Sequence, residues 1–102
     1  MLASFSIAPV GAGEELKRPV AEIVDIIDRS GLPYKLGAMQ TTVEGSEERV
    51  MALIMECHRH MRRTARRVLT HIAIDDRDGA EGRLEGKVAD AERTLDRKLS
   101  HD

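Results

Sequence analysis

Apolar residues in this chain change their spacing in a fixed order, and that order limits the folds open to it. From Leu2 to Val10 they alternate, with Ala3, Phe5 and Ile7 on one side and Ser4, Ser6 and Ala8 on the other, the two-residue period of a strand. Pro9 and the Gly11-Ala12-Gly13 run close it, because proline cannot donate to a ladder and glycine permits a turn. From Glu14 to Ser30 the period becomes helical. Leu16, Val20, Ile23, Val24 and Ile27 recur at helical spacing, Glu14 and Glu15 stand at the positive end of the dipole, and Gly31 follows as a stop. Pro19 is tolerated only in a first turn, so the spacing predicts a helix beginning near Lys17 or Arg18. Pro33 to Gly45 is too irregular for a helix and predicts two short antiparallel strands folded about Ala38 to Gln40. Ser46 then caps a second helix with a stripe of Val50, Leu53, Ile54, Cys57, His58 and Met61, expected to stop near Ala65 or Arg66. Val68, Thr70, Ile72 and Ile74 alternate with Leu69, His71, Ala73 and Asp75 as a last strand, closing at the acidic turn Asp75 to Gly79. Beyond Gly86, the stripe begun at Leu84 continues through Val88, Ala91, Leu95 and Leu99 and predicts a third helix.

Strand, helix, strand, strand, helix, strand, joined by right-handed crossovers, gives a four-stranded antiparallel sheet with both helices on one face. The expected fold class is therefore α+β, a ferredoxin-like βαββαβ sandwich with an additional C-terminal helix. A chain of 102 residues supports one such core, so residues 1–102 read as a single domain. A core of this size buries only roughly 60–65% of the surface of the unfolded chain, so its stability alone is modest. The second face of the sheet, lined by small and polar side chains, must be wet, covered by a partner subunit or used for a ligand. Self-association as a homodimer or homotetramer is the expectation that follows.

Charge and composition exclude several classes of function. Sixteen basic against eighteen acidic residues leave a net charge of −2, with no general attraction to nucleic acid or an anionic membrane. Phe5 and Tyr34 are the only aromatic residues, too few for a platform on which bases stack. No apolar stretch approaches the roughly 20 residues of a membrane span, and no basic segment leads into an apolar one at the start, so the expected location is cytoplasmic. A single cysteine, Cys57, fits a reduced compartment and excludes an intrachain disulfide. Its place on the apolar stripe disfavours a thiolate nucleophile.

Candidate metal and anion sites are weak. His58 and His60 are two apart on a helix and point to different sides, and His71 lies on a strand facing the open side of the sheet, so no pair has the spacing that holds zinc from one helix face. His58 reads as a core histidine bonded to backbone or water. Asp75, Asp76 and Asp78 lack the spaced pattern of a calcium loop and read as a solvated turn. Gly11-Ala12-Gly13 echoes a phosphate-binding loop without its lysine. The run Arg59, His60, Arg62, Arg63, Arg66 and Arg67 lies mostly off the stripe and near a helix C-terminus, where the dipole favours cations.

One segment is dense in types that suit a small heterocycle. Tyr34 to Gly45 offers an aromatic ring, the soft Met39, the hydroxyls of Thr41 and Thr42 and the Glu44 carboxylate. On residue chemistry alone, a plain hairpin and a binding segment fit it equally. The Tyr-x-Leu-x-x-Met-x-Thr-x-x-Glu-Gly pattern from Tyr34 to Gly45, and the Ser-x-x-Pro-x-Gly pattern from Ser6 to Gly11, resemble the thiamine-binding protein family of ferredoxin-like fold. Arg67-Val68, Ile74-Asp75-Asp76-Arg77 and Lys87-Val88 extend the likeness over nearly the whole chain. The resemblance implies dimers that pair into tetramers, with thiamine (vitamin B1) or its hydroxymethylpyrimidine moiety bound without turnover and without a cofactor. It nominates Ser6, Pro9, Tyr34, Met39, Thr41, Thr42 and Glu44 as ligand-binding positions. Glu44 would accept from the exocyclic amine or balance the thiazolium charge, Thr42 and Ser6 would meet ring nitrogens, and Met39 would form a wall. The pattern leaves open which of the Thr41 and Thr42 hydroxyls faces the ligand. The alternative from the residues is a regulatory or structural oligomerisation module that binds another small effector at subunit interfaces.

Overall fold

The computed structural model describes residues 1–11, 16–79, 82 and 84. Its elements follow the expected order: β1 (Leu2–Val10), α1 (Lys17–Arg29), β2 (Tyr34–Leu36), β3 (Thr41–Glu44), α2 (Glu47–Arg62) and β4 (Arg67–Asp75). The strands form one antiparallel sheet in the order β2-β3-β1-β4. Both helices cover the face carrying Ala3, Phe5 and Val43, and these join Ile23 and Ile27 of α1 and Val50, Leu53, Ile54, Cys57 and Met61 of α2 in one buried core. The expected α+β ferredoxin-like sandwich is present. The third helix and the Glu14-Glu15 pair lie outside the described residues.

Local chemistry explains the helix ends. Pro19 is the third residue of α1, where its missing N–H would have had no partner within the helix, and its ring is buried. At the other end Gly31, at φ +77°, takes the left-handed conformation that lets the chain leave the helix. Ser46 caps α2 by accepting from the Arg49 N–H at 3.2 Å, and Glu47 and Glu48 fill the first turn. α2 ends at Arg62, three or four residues before the expected stop. Its last bonds tighten, with Arg63 N–H on the His60 carbonyl and Thr64 N–H on the Met61 carbonyl. The Arg62 guanidinium then turns onto the carbonyls of Ala65 and Arg66. The chain has to reverse there, because β4 begins opposite Val10 at Arg67.

The strands are unequal in length. β1 and β4 run nine residues and pair from Leu2↔Asp75 to Val10↔Arg67, whereas β3 meets β1 only from Leu2↔Glu44 to Phe5↔Thr41. Past Phe5, β1 has a strand on one side only. The corner left open lies under α1 and beside the β2–β3 turn. That turn needs its glycine: a Cβ on Gly37 would stand 2.6 Å from the Gln40 carbonyl oxygen, which accepts the Gly37 N–H at 2.9 Å.

Candidate functional site

The open corner of the sheet holds a cavity of about 280 Å³. Phe5, Ser6 and Ile7 of β1 line one side and Gly37, Ala38, Met39, Gln40 and Thr41 the other. Val20, Ile23, Val24 and Ile27 of α1 form the roof, and Met61 of α2 closes the end. Among these residues none carries a formal charge. The surroundings therefore suit a neutral, largely apolar ligand with a few hydrogen-bonding edges. Met61 is buried at the closed end, while Met39 stands 88% exposed at the mouth.

Strand alternation sorts the nominated residues. Thr41 pairs with Phe5 on the helix-covered face, whereas Thr42 pairs with Ser4 and Glu44 with Leu2 on the opposite, open face. Met39, Thr41 and Ser6 thus line the cavity, Ser6 from the strand edge with its side chain on the open face opposite His71. Thr42 and Glu44 are not brought to it. The Glu44 carboxylate accepts the Leu84 N–H at 3.3 Å instead. Of the two neighbouring threonines, the cavity takes Thr41.

Tyr34 and Pro9 also stand apart. The Tyr34 ring packs against the core at the outer strand, and its hydroxyl donates to Asp28 Oδ1 at 2.8 Å. That bond first, then partial desolvation and the Asp28 charge, raise the phenol pKa above its usual 10.0. Tyr34 ties β2 to the end of α1. Pro9 is half-buried opposite Val68, beyond the cavity.

Other candidate chemistry is engaged elsewhere. His58 Nδ1 lies 2.6 Å from Thr70 Oγ1, so the expected backbone or water partner is a β4 hydroxyl. Cys57 is buried, and burial first, then the Glu56 charge, pushes its thiol up to about 12, unfit for a nucleophile near neutrality. Among the described residues no three His, Cys, Asp or Glu side chains converge as metal ligands, and no helix is long and apolar enough to cross a membrane. A second hollow of about 500 Å³ lies between the outer sides of α1 and α2, walled by Arg29, Arg49 and Glu56. Its guanidiniums are already used, Arg29 on Asp25 and Arg49 on the Ser30 carbonyl at 3.0 Å.

The sequence reading missed the roof from α1, together with Ile7 and Met61. Their apolar spacing marks them only as core, and nothing local distinguishes a side chain that lines a void from one that fills it. The split between Thr41 and Thr42 was available: Val43 belongs to the core face, and a two-residue period assigns Thr41 to the same side.

Comparisons with known proteins agree with this architecture. A family model described as thiamine-binding protein matches residues 3–92. A UPF0045 protein from Mycobacterium bovis is 36% identical over 96 residues, covering 93% of this chain and 94% of that one. The crystal structure of a hypothetical protein from Methanocaldococcus jannaschii superposes with a TM-score of 0.80 at 26% identity, covering 88% of this chain and 93% of the other. That of a proposed thiamine biosynthesis/salvage protein from Thermotoga maritima gives 0.77 at 27%, over 88% and 96%.

Proposed function

Because the chain belongs to the thiamine-binding protein family, we propose that it binds thiamine or its hydroxymethylpyrimidine moiety without turning it over, as a carrier, buffer or sensor. The observation that carries this reading is the cavity of about 280 Å³, whose described lining carries no formal charge, close to the lower end of the roughly 300–1,000 Å³ common for small-molecule sites, with Met39 and Thr41 of the hairpin pattern in its wall. The pyrimidine is the half that suits such a lining. It is neutral, it offers two flat apolar faces to Phe5, Ile23 and Val24, and its polar atoms lie on its edge. The cationic thiazolium belongs at the mouth, where water screens its charge.

Among the described residues the lining offers thioether, amide, hydroxyl and hydrocarbon groups, and the role proposed for them is to hold the ligand. Titration calorimetry and thermal shift with thiamine and with 4-amino-5-hydroxymethyl-2-methylpyrimidine test it. At about 100 times its dissociation constant, a ligand that binds only the folded state adds about 2.7 kcal/mol of stability. No shift and no heat from either compound would refute the reading.

A second reading is favoured by one feature of β4. Ile72 and Ile74 of the edge strand β4 lie on the helix-covered face yet remain 38% and 50% exposed. Apolar surface of this kind suits self-association into a homodimer or homotetramer, either around the ligand site or as a regulatory or structural module without thiamine. Sedimentation at micromolar concentration that found only an ~11 kDa species would exclude assembly. The same small, single-thiol domain is proposed to work in the cytoplasm, without contact to nucleic acid or membrane.

A further inference from the structure

The phase of the β1 ladder exposes one donor and one acceptor to the cavity. In an antiparallel ladder a residue sends its N–H and C=O to the same side, and the side alternates along the strand. Reciprocal bonds between Met1 and Gly45, at 2.9 and 3.0 Å, set the phase at the lower end. Through the register Ala3↔Val43 and Phe5↔Thr41, the odd-numbered residues of β1 turn their main chain toward β3, and the even-numbered ones turn theirs toward β4. The next odd residue is Ile7. β3 has no residue opposite it, because the register ends at Phe5↔Thr41 and the chain turns away through Gly37 to Gln40. Ile7 lines the cavity. Pro9, one pleat further, accords independently with this phase: its missing N–H falls on the same open side and so costs no ladder bond.

We propose that the main-chain N–H and C=O of Ile7 read the edge of an aminopyrimidine, the N–H donating to a ring nitrogen and the C=O accepting from the adjacent exocyclic amine. This deepens the binding reading above and rests on it. The ring takes the place of the missing stretch of β3, pairing with β1 as a strand would. Selectivity follows from the order of donor and acceptor. A 4-oxo ring carries a proton on that nitrogen and an acceptor beside it, so both its groups meet like groups of Ile7. It restores the pairing only by turning over, which sends its hydroxymethyl and methyl groups to the wrong ends of the cavity. An unmatched buried donor and acceptor cost more than a weak bond gains.

The test compares two ligands and two variants of the full chain. By calorimetry, 4-amino-5-hydroxymethyl-2-methylpyrimidine should bind at least about tenfold more tightly than its 4-oxo counterpart. Ile7→Pro removes the N–H that faces the cavity and no bond to β4, so it should keep its circular dichroism spectrum and lose about tenfold in affinity for the amino ring. Arg63→Ala, exposed just past the end of α2 and away from the cavity, should bind within about twofold of the parent. Equal affinities for the two rings, or a folded Ile7→Pro that binds like the parent, would overturn the proposal while leaving the cavity reading in place. If Ile7→Pro does not fold, the ring pair decides alone. Heat from neither ring nor thiamine would bring down the binding reading, and this proposal with it.

Discussion

Thr41 and Thr42 are neighbours in sequence, yet the pleat puts one in the cavity wall and the other on the opposite face of the sheet. Replacing each by valine makes the same chemical change twice, a hydroxyl for a methyl of nearly the same shape, at two sites one residue apart. Valine and threonine both favour strands, so neither variant should lose its place in β3. In Thr41→Val the ligand loses one neutral hydrogen bond, about 0.5–1.5 kcal/mol, which at about 1.4 kcal/mol per tenfold is a weakening of about two- to twelvefold. Thr42→Val should bind thiamine within about twofold of the parent, since Thr42 faces away. Calorimetric titration at one temperature and salt concentration measures both, with thermal melts to show that each variant is folded. If Thr42→Val weakened binding and Thr41→Val did not, the ligand would sit on the open face with Glu44, and the cavity would not be the site.

Other outcomes follow from packing and titration. Gly45→Ala would put a Cβ 2.8 Å from Leu32 Cδ2 and 3.4 Å from Val50 Cγ2, so it should destabilise the fold by about 1–3 kcal/mol in urea unfolding, with binding retained at temperatures where it is folded. The Cys57 thiol has its pKa raised from 9.0 to about 12, so the folded state keeps a proton that the unfolded state releases. Stability should be complete below about pH 9 and fall as pH rises toward 12, a decline that Cys57→Ala should lessen in melts run across that range. Lengthening the β2–β3 hairpin by two residues on each strand, with an Asn-Gly turn, should let β3 pair with Ile7. Such a variant should melt higher and lose thiamine binding; binding at the parent's affinity would mean that the cavity is not used.

Much of the fold was legible because each element carries its own period. The switch from alternation to helical spacing located β1, α1, α2 and β4, and Pro19, Gly31 and Ser46 supplied punctuation that the structure keeps. The end of α2 was not legible. Arg62 to Arg66 has no apolar period, and the stop is fixed by the need to begin β4 opposite Val10, a constraint from across the sheet. The hairpin pattern behaved differently. It brought Met39 and Thr41 to the cavity while its alternate members Thr42 and Glu44 went to the other face, because a linear motif read without its pleat merges two surfaces. Tyr34 was nominated with the rest of the pattern, but it does not line the cavity, and its hydroxyl is committed to Asp28 six residues earlier in the chain.

The cavity owes its existence to a difference in strand length, which no single residue encodes. Had β2 and β3 matched the nine residues of β1 and β4, residues beyond Thr41 would have continued the ladder to Ile7 and Pro9, and their side chains would have packed beneath Val20 and Val24. The chain instead turns at Gly37, where the space beside the Gln40 carbonyl excludes any larger side chain. Two kinds of satisfaction are forgone there: ladder bonds along the upper part of β1, and apolar contacts under the first half of α1. Each costs stability in a domain with little to spare. A ligand that offers both a flat apolar face and a hydrogen-bonding edge restores both at once, and an aminopyrimidine does so. On the proposed reading, the same deficit that weakens the empty domain is what the ligand recognises, and occupancy of the corner should be felt as stability of the whole sheet.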